Sequence, residues 1–169
     1  MKKLPQRKNT RLKEYDYSTF GFYFVTICLK DRKNLFSNII ESKVVLTKYG
    51  KIVDDILNNL PKYYNIELDY YIIIPDHIHL IIIIDKYLDK GNPEFKRIIT
   101  LSDVVGKFKS YFTKKIREML NNKVRFDWQK SFYDRIIRNE KELYLIRKYI
   151  EDNPLRWEIE KNYPQNLEM

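Results

Sequence analysis

The amino-acid sequence predicts a single α+β domain. Dense β-branched and aromatic runs occupy residues 21–30 and 66–85, separate stretches return apolar residues at helical spacing, and neither an internal repeat nor a linker divides them. A length of 169 residues suits one compact domain, and 44% apolar residues suffice for a core. No run approaches the ~20 apolar residues of a membrane span. The basic, polar start lacks the apolar segment of a signal peptide.

Residues 1–19 hold Lys2, Lys3, Arg7, Lys8, Arg11 and Lys13 with little apolar periodicity, so they read as a basic N-terminal arm ahead of a domain spanning 20–169. GFYFVTICLK, residues 21–30, reads as a strand. Two short apolar pieces at 34–46 read as a hairpin. Ile52, Val53, Ile56, Leu57 and Leu60 repeat as on a helix face, with Pro61 expected to close it. IELDYYIII and HIHLIIIID flank Pro75-Asp76 and predict an antiparallel pair. The second of these is apolar on both faces and so should be central. Residues 86–98 read as a loop. A helix is expected from Ser102, as its cap, to Leu120, and another from Glu140 to Asn153, stopped at Pro154.

Thirty-two Lys and Arg against 23 Asp and Glu leave a net charge of +9. Such a domain suits a polyanion, since neutralised phosphates release counterions, and 14 Tyr with nine Phe supply faces for unpaired bases. A Lys-rich solubilising surface is the bland alternative, and an anionic membrane surface the next partner to weigh. The single cysteine, Cys28, cannot form an internal disulfide; it reads as a core thiol, with a cytoplasmic setting expected.

The only two histidines, His77 and His79, are two apart on a predicted strand, so both side chains leave the same face. They could share one metal ion, or be two satisfied imidazoles at a sheet end. A metal site needs at least one more ligand. Cysteine is all but excluded, which leaves the oxygen donors Asp, Glu, Asn or Gln, a set that suits Mg²⁺ or Mn²⁺. On the last predicted helix Tyr149 and Asn153 stand four apart, beside the core stripe of Leu143, Ile146 and Ile150. A phenol can attack a phosphodiester, and an amide oxygen can complete a metal shell. Each also has an ordinary reading, as a packed aromatic and a helix C-terminal residue.

FYFVTICLKDR, YYIIIPDHIHLIII, SDVVGKFKSYFTKKI, WQKSFYDRIIRNEKEL and IRKYIEDNPLRW stand in the order found in the REP-associated tyrosine transposases, single-tyrosine relatives of the insertion-sequence HUH transposases. The resemblance covers roughly residues 15–160. It implies a ferredoxin-like fold with an antiparallel sheet, His77 and His79 as metal ligands, Asn153 as a third, and Tyr149 as nucleophile. It also implies single-stranded, hairpin-bearing DNA as substrate, a 5′-phosphotyrosine with a free 3′-hydroxyl, rejoining by reversal, and a monomer or homodimer. Lys107, Lys109, Lys114 and Arg138 are candidate phosphate contacts. Many relatives have histidine where this chain has Arg135, which can bind phosphate but cannot serve as a base near neutral pH. A non-catalytic single-strand binder and a hydrolase using metal-activated water are the competing readings. Trp128, Phe132 and Tyr133 could stack bases or fill the core.

Overall fold

A computed structural model describes residues 15–85, 99–120 and 127–162. The loop expected at 86–98 and most of the basic arm lie outside the described residues. Strand β1 (Gly21–Cys28) leads through a 3-10 turn at Lys30–Arg32 into the hairpin β2 (Ser37–Ile40) and β3 (Lys43–Leu46). Helix α1 (Lys48–Tyr63) follows, then strands β4 (Ile66–Ile73) and β5 (His77–Ile84), helix α2 (Leu101–Met119), strand β6 (Tyr133–Ile137), and helices α3 (Glu140–Glu151) and α4 (Asn153–Asn162).

The main sheet has the order β4-β5-β1-β6, every neighbour antiparallel. Taken with α1 and α2, the chain order is β1-α1-β4-β5-α2-β6, the ferredoxin-like βαββαβ arrangement expected above. β5 is internal, as its two apolar faces require. Its even residues Ile78, Leu80, Ile82 and Ile84 join Tyr23, Val25 and Ile27 under α1 and α2. Its odd residues turn to the opposite face, where Ile81 and Phe24 pack against Leu143, Ile146 and Ile150 of α3. The sheet therefore has a thick core on one side and a smaller one, open at its end, on the other.

Local chemistry explains the elements and several departures from expectation. Thr47 caps α1, its hydroxyl accepting from Tyr49 N and Gly50 N at 3.2 Å each. Pro61 does not close α1, which continues to Tyr63. The helix accommodates it in its last turn, forgoing the one hydrogen bond that position would donate to the turn before it. Thr100, not Ser102, caps α2, through a reciprocal capping box with Asp103. Pro154 stops α3 but starts α4: a proline fits a first helical turn, where no intrahelical donor is needed. Tyr15 and Tyr17, inside the stretch read as an arm, pack on the core.

A one-residue bulge in β4 between Leu68 and Tyr71 reverses which residues face α1. Asp69, at the start of the bulge, faces α3, where Arg147 Nε donates to its Oδ2 at 2.8 Å and Nη2 to its Oδ1 at 2.5 Å. Tyr71 in turn donates to Asp54 of α1 at 2.7 Å. The β2–β3 turn carries Glu41 at φ 50° and Ser42 at φ 56°, left-handed for both residues. Ser42 N and Oγ donate to Glu158 of α4 at 2.8 and 2.6 Å, so α4 is tied to this hairpin.

Candidate metal and nucleophile site

The Pro75–Asp76 turn delivers the chain into β5 with His77 and His79 on the α3 face, 6% and 5% exposed. Their Nε2 atoms are 3.0 Å apart. Each Nδ1 is engaged elsewhere. His77 Nδ1 donates to Asp76 Oδ1 at 2.5 Å, and His79 Nδ1 is hydrogen-bonded to Oγ1 of Thr26, its direct partner on β1, at 2.8 Å. In the tautomer with Nδ1–H in both rings, the form a metal ion would select, both Nε2 lone pairs turn to the same point. Two donors each about 2.1 Å from one octahedral cation, at right angles to each other, stand about 3.0 Å apart. The pair therefore fits a single divalent cation. Phe24 stacks on His79 at 5.4 Å between ring centroids and fixes its plane.

Behind this pair, Asp76 is 3% exposed and forms an ion pair with Arg32, whose Nε lies 2.7 Å from Oδ2. Arg32 reaches it from the turn after β1, where Asp31 and Arg32 hold φ 60° and 51°. A left-handed arginine is costly backbone, here offset by the guanidinium's contacts with Asp76 and with Cys28 Sγ at 3.0 Å. Cys28 is thus not a core residue: it lies half-buried on the histidine face, where burial pushes its thiol pKa up. Burial, with His77 and Arg32 adding to it, lowers His79 from its ordinary value to about 3. A neutral imidazole is the form that ligates metal.

Tyr149 completes the cluster from α3. Its half-buried ring lies 5.3 Å from that of His79 and 6.0 Å from Phe24, and the Arg156 guanidinium of α4 sits 5.3 Å over it. Asn153, 6% exposed, begins α4 between Tyr149 and Trp157, and Trp157 touches the His77 ring at 5.9 Å. Among the described residues no group of three His, Cys, Asp or Glu could hold a metal ion.

The other candidates are placed differently. Lys107, Lys109 and Lys114 belong to α2, on the far side of the sheet from the histidines. Lys109 Nζ is committed to the carbonyls of Gln129 and Ser131 at 2.9 and 3.0 Å. Arg135 pairs directly with Phe24 across β1–β6 and shares the histidine face, but its guanidinium is joined to Glu142. Arg138 follows β6, and its backbone N donates to the other oxygen of Glu142 at 2.8 Å. Trp128 packs against Phe36, Phe108 and Phe112 in the core, and Phe132 packs on that core. Tyr133 is exposed beside Phe24.

The family model described as Transposase IS200 like matches residues 22–153. The chain belongs to the IS200-like transposase family. An uncharacterised Haemophilus influenzae relative of this transposase is 34% identical, with 93% of each chain covered. A second relative from that organism, assigned as a candidate REP-associated tyrosine transposase, is 27% identical over 88% of this chain and 80% of its own. Among solved structures, a REP-associated tyrosine transposase bound to a REP hairpin superposes with TM-score 0.62 at 20% identity, covering 87% of this chain and 73% of that one. A candidate Deinococcus radiodurans transposase gives 0.50 at 17%, over 85% and 96%. These structures share the transposase fold described above. Among the described residues no helix is long and apolar enough to cross a membrane.

Phe24, Thr26, Arg32, Arg156 and Trp157 escaped the sequence reading as site residues, and Asp76 was read only as a turn. The β1–β5 register that sets Thr26 opposite His79 and Cys28 opposite His77 is long-range and leaves no local signal. Arg156 and Trp157 lie seven and eight residues after Tyr149, on its helical face once Pro154 is taken as a helix start.

Proposed function

We propose that this family member cuts and rejoins single-stranded DNA, with Tyr149 as the nucleophile and a divalent cation, Mg²⁺ or Mn²⁺, held by His77 Nε2, His79 Nε2 and the Asn153 amide oxygen. The observation that supports this best is the pair of Nε2 atoms at 3.0 Å, both Nδ1 positions already satisfied, with the Tyr149 ring against His79.

When bound, such a cation supplies polarisation of the scissile phosphate and offsets the charge that develops on it. The chain's own residues do the rest. The Tyr149 phenol oxygen bonds to phosphorus as the bond from phosphorus to the 3′-oxygen breaks. The phenol proton leaves to solvent and the departing 3′-oxygen takes one up. The products are a 5′-phosphotyrosine and a 3′-hydroxyl, and attack by a 3′-hydroxyl on that ester reverses the step. Arg156 places positive charge where the phosphate arrives, and exposed Tyr133 offers a stacking surface beside it. A hairpin-bearing strand is the proposed substrate, supported by the REP hairpin in the solved relative.

Incubation with a labelled hairpin-bearing single strand and Mn²⁺ should yield a denaturant-resistant adduct, lost with chelator and in Tyr149→Phe. Cleavage that persists in Tyr149→Phe would favour hydrolysis by activated water. Chelator-insensitive binding with no adduct under any metal would favour a non-catalytic binder.

A further inference from the structure

We infer that the cleft between the Asn34–Ile39 segment and α4 seats one unpaired nucleobase flanking the phosphate that Tyr149 attacks; this rests on the strand-transfer reading above. The cleft holds about 270 Å³. That is just below the range of about 300–1,000 Å³ typical of drug-sized ligands, so it suits a single base and not a duplex. It opens beside the reaction centre. Trp157 both lines it and touches the His77 ring at 5.9 Å, and Pro75, which adjoins Asp76, forms another wall. A base one sugar away from a phosphate at the histidines falls within its reach.

The lining has the chemistry of base recognition. Trp157 supplies a flat stacking face. The Asn34 and Asn38 side-chain amides have no hydrogen-bond partner among the described residues, and each offers donors beside an acceptor, as every base edge does. The neighbouring polar groups are already used: Ser37 Oγ donates to Ile73 O at 2.8 Å, and Glu158 accepts from Ser42. They hold the walls and leave the two asparagines to read the ligand. Exposed Lys161 at the rim can neutralise an adjoining phosphate. Enclosing one base in this way would set which phosphate meets Tyr149.

The test uses the full chain, Mn²⁺ and a series of hairpin-bearing single strands, each carrying one abasic residue near the cleaved position. The wild type should show one position where removing the base weakens binding by about ten- to a hundredfold. In Asn34→Ala/Asn38→Ala, and in Trp157→Ala, the same removal should cost less than about threefold, because the pocket no longer holds that base. Absence of any sensitive position, or equal sensitivity in wild type and the asparagine variant, would overturn the inference. The asparagines are exposed, so that variant remains informative even if Trp157→Ala fails to fold. Adduct formation by wild type on intact DNA separates a failed pocket from a failed strand-transfer reading.

Discussion

Replacing Asp76 by Asn changes one atom, yet it should disable the histidine pair. In the native arrangement both carboxylate oxygens face a positive or donor group: one accepts from His77 Nδ1 at 2.5 Å and the other is ion-paired with Arg32 Nε at 2.7 Å. An amide cannot accept at both. With its oxygen toward Arg32, its NH₂ faces His77 Nδ1, which must then become the acceptor. The ring proton moves to Nε2, and the lone pair meant for metal is gone. With the amide reversed, its NH₂ opposes the guanidinium. Loss of a carboxylate that orients a metal-binding histidine weakens metal affinity by about 10- to 100-fold, or about 1.4–2.7 kcal/mol. Titration calorimetry with Mn²⁺ on wild type and Asp76→Asn, each shown folded by circular dichroism, measures this directly. An unchanged Mn²⁺ affinity in a folded Asp76→Asn protein would refute the reasoning that Asp76 sets the His77 tautomer.

Three further outcomes follow from particular contacts. Lys107→Ala/Lys114→Ala should leave adduct yield on a short strand without a hairpin unchanged, because both lysines stand on the far layer of the sheet; a gel assay against Arg156→Ala, expected to lose yield, checks this. Gly50→Ala should destabilise by about 1–3 kcal/mol, since a Cβ there meets the Phe36 carbonyl oxygen at 2.0 Å, and thermal unfolding should show a lower midpoint. Glu41→Asn should stabilise by about 0.5 kcal/mol, as asparagine tolerates the φ of 50° at that turn better than glutamate, and the denaturant midpoint reports it.

What was legible in the sequence followed from short-range periodicity. The period of two put His77 and His79 on one face. Helical spacing marked the buried stripes of α1, α2 and α3, and the structure places Tyr149 beside His79. What escaped depends on chain pairing or on competing local signals. β6 is a five-residue edge strand with Asp134 and Arg135 in it, too short and charged to stand out, yet it brings Tyr133 and Arg135 to the histidine face. The bulge in β4 inverts a strand's facing halfway along, which alternation alone cannot foresee. The charge pattern that singled out the lysines of α2 reports only that they share a helix side, and the fold decides which layer that helix joins. Arg32 is hidden for a related reason: its reach to Asp76 depends on two consecutive left-handed residues.

The central claim is that Tyr149 forms a covalent bond to DNA. Peptide mapping by mass spectrometry, after a Mn²⁺ reaction with a hairpin-bearing single strand, tests it most directly. The account predicts one phosphodeoxynucleotide on Tyr149, attached through the DNA 5′ end, with a released strand whose 3′-hydroxyl a polymerase can extend. A nucleotide on any other residue, or cleaved DNA with unmodified protein at every time point, would contradict it.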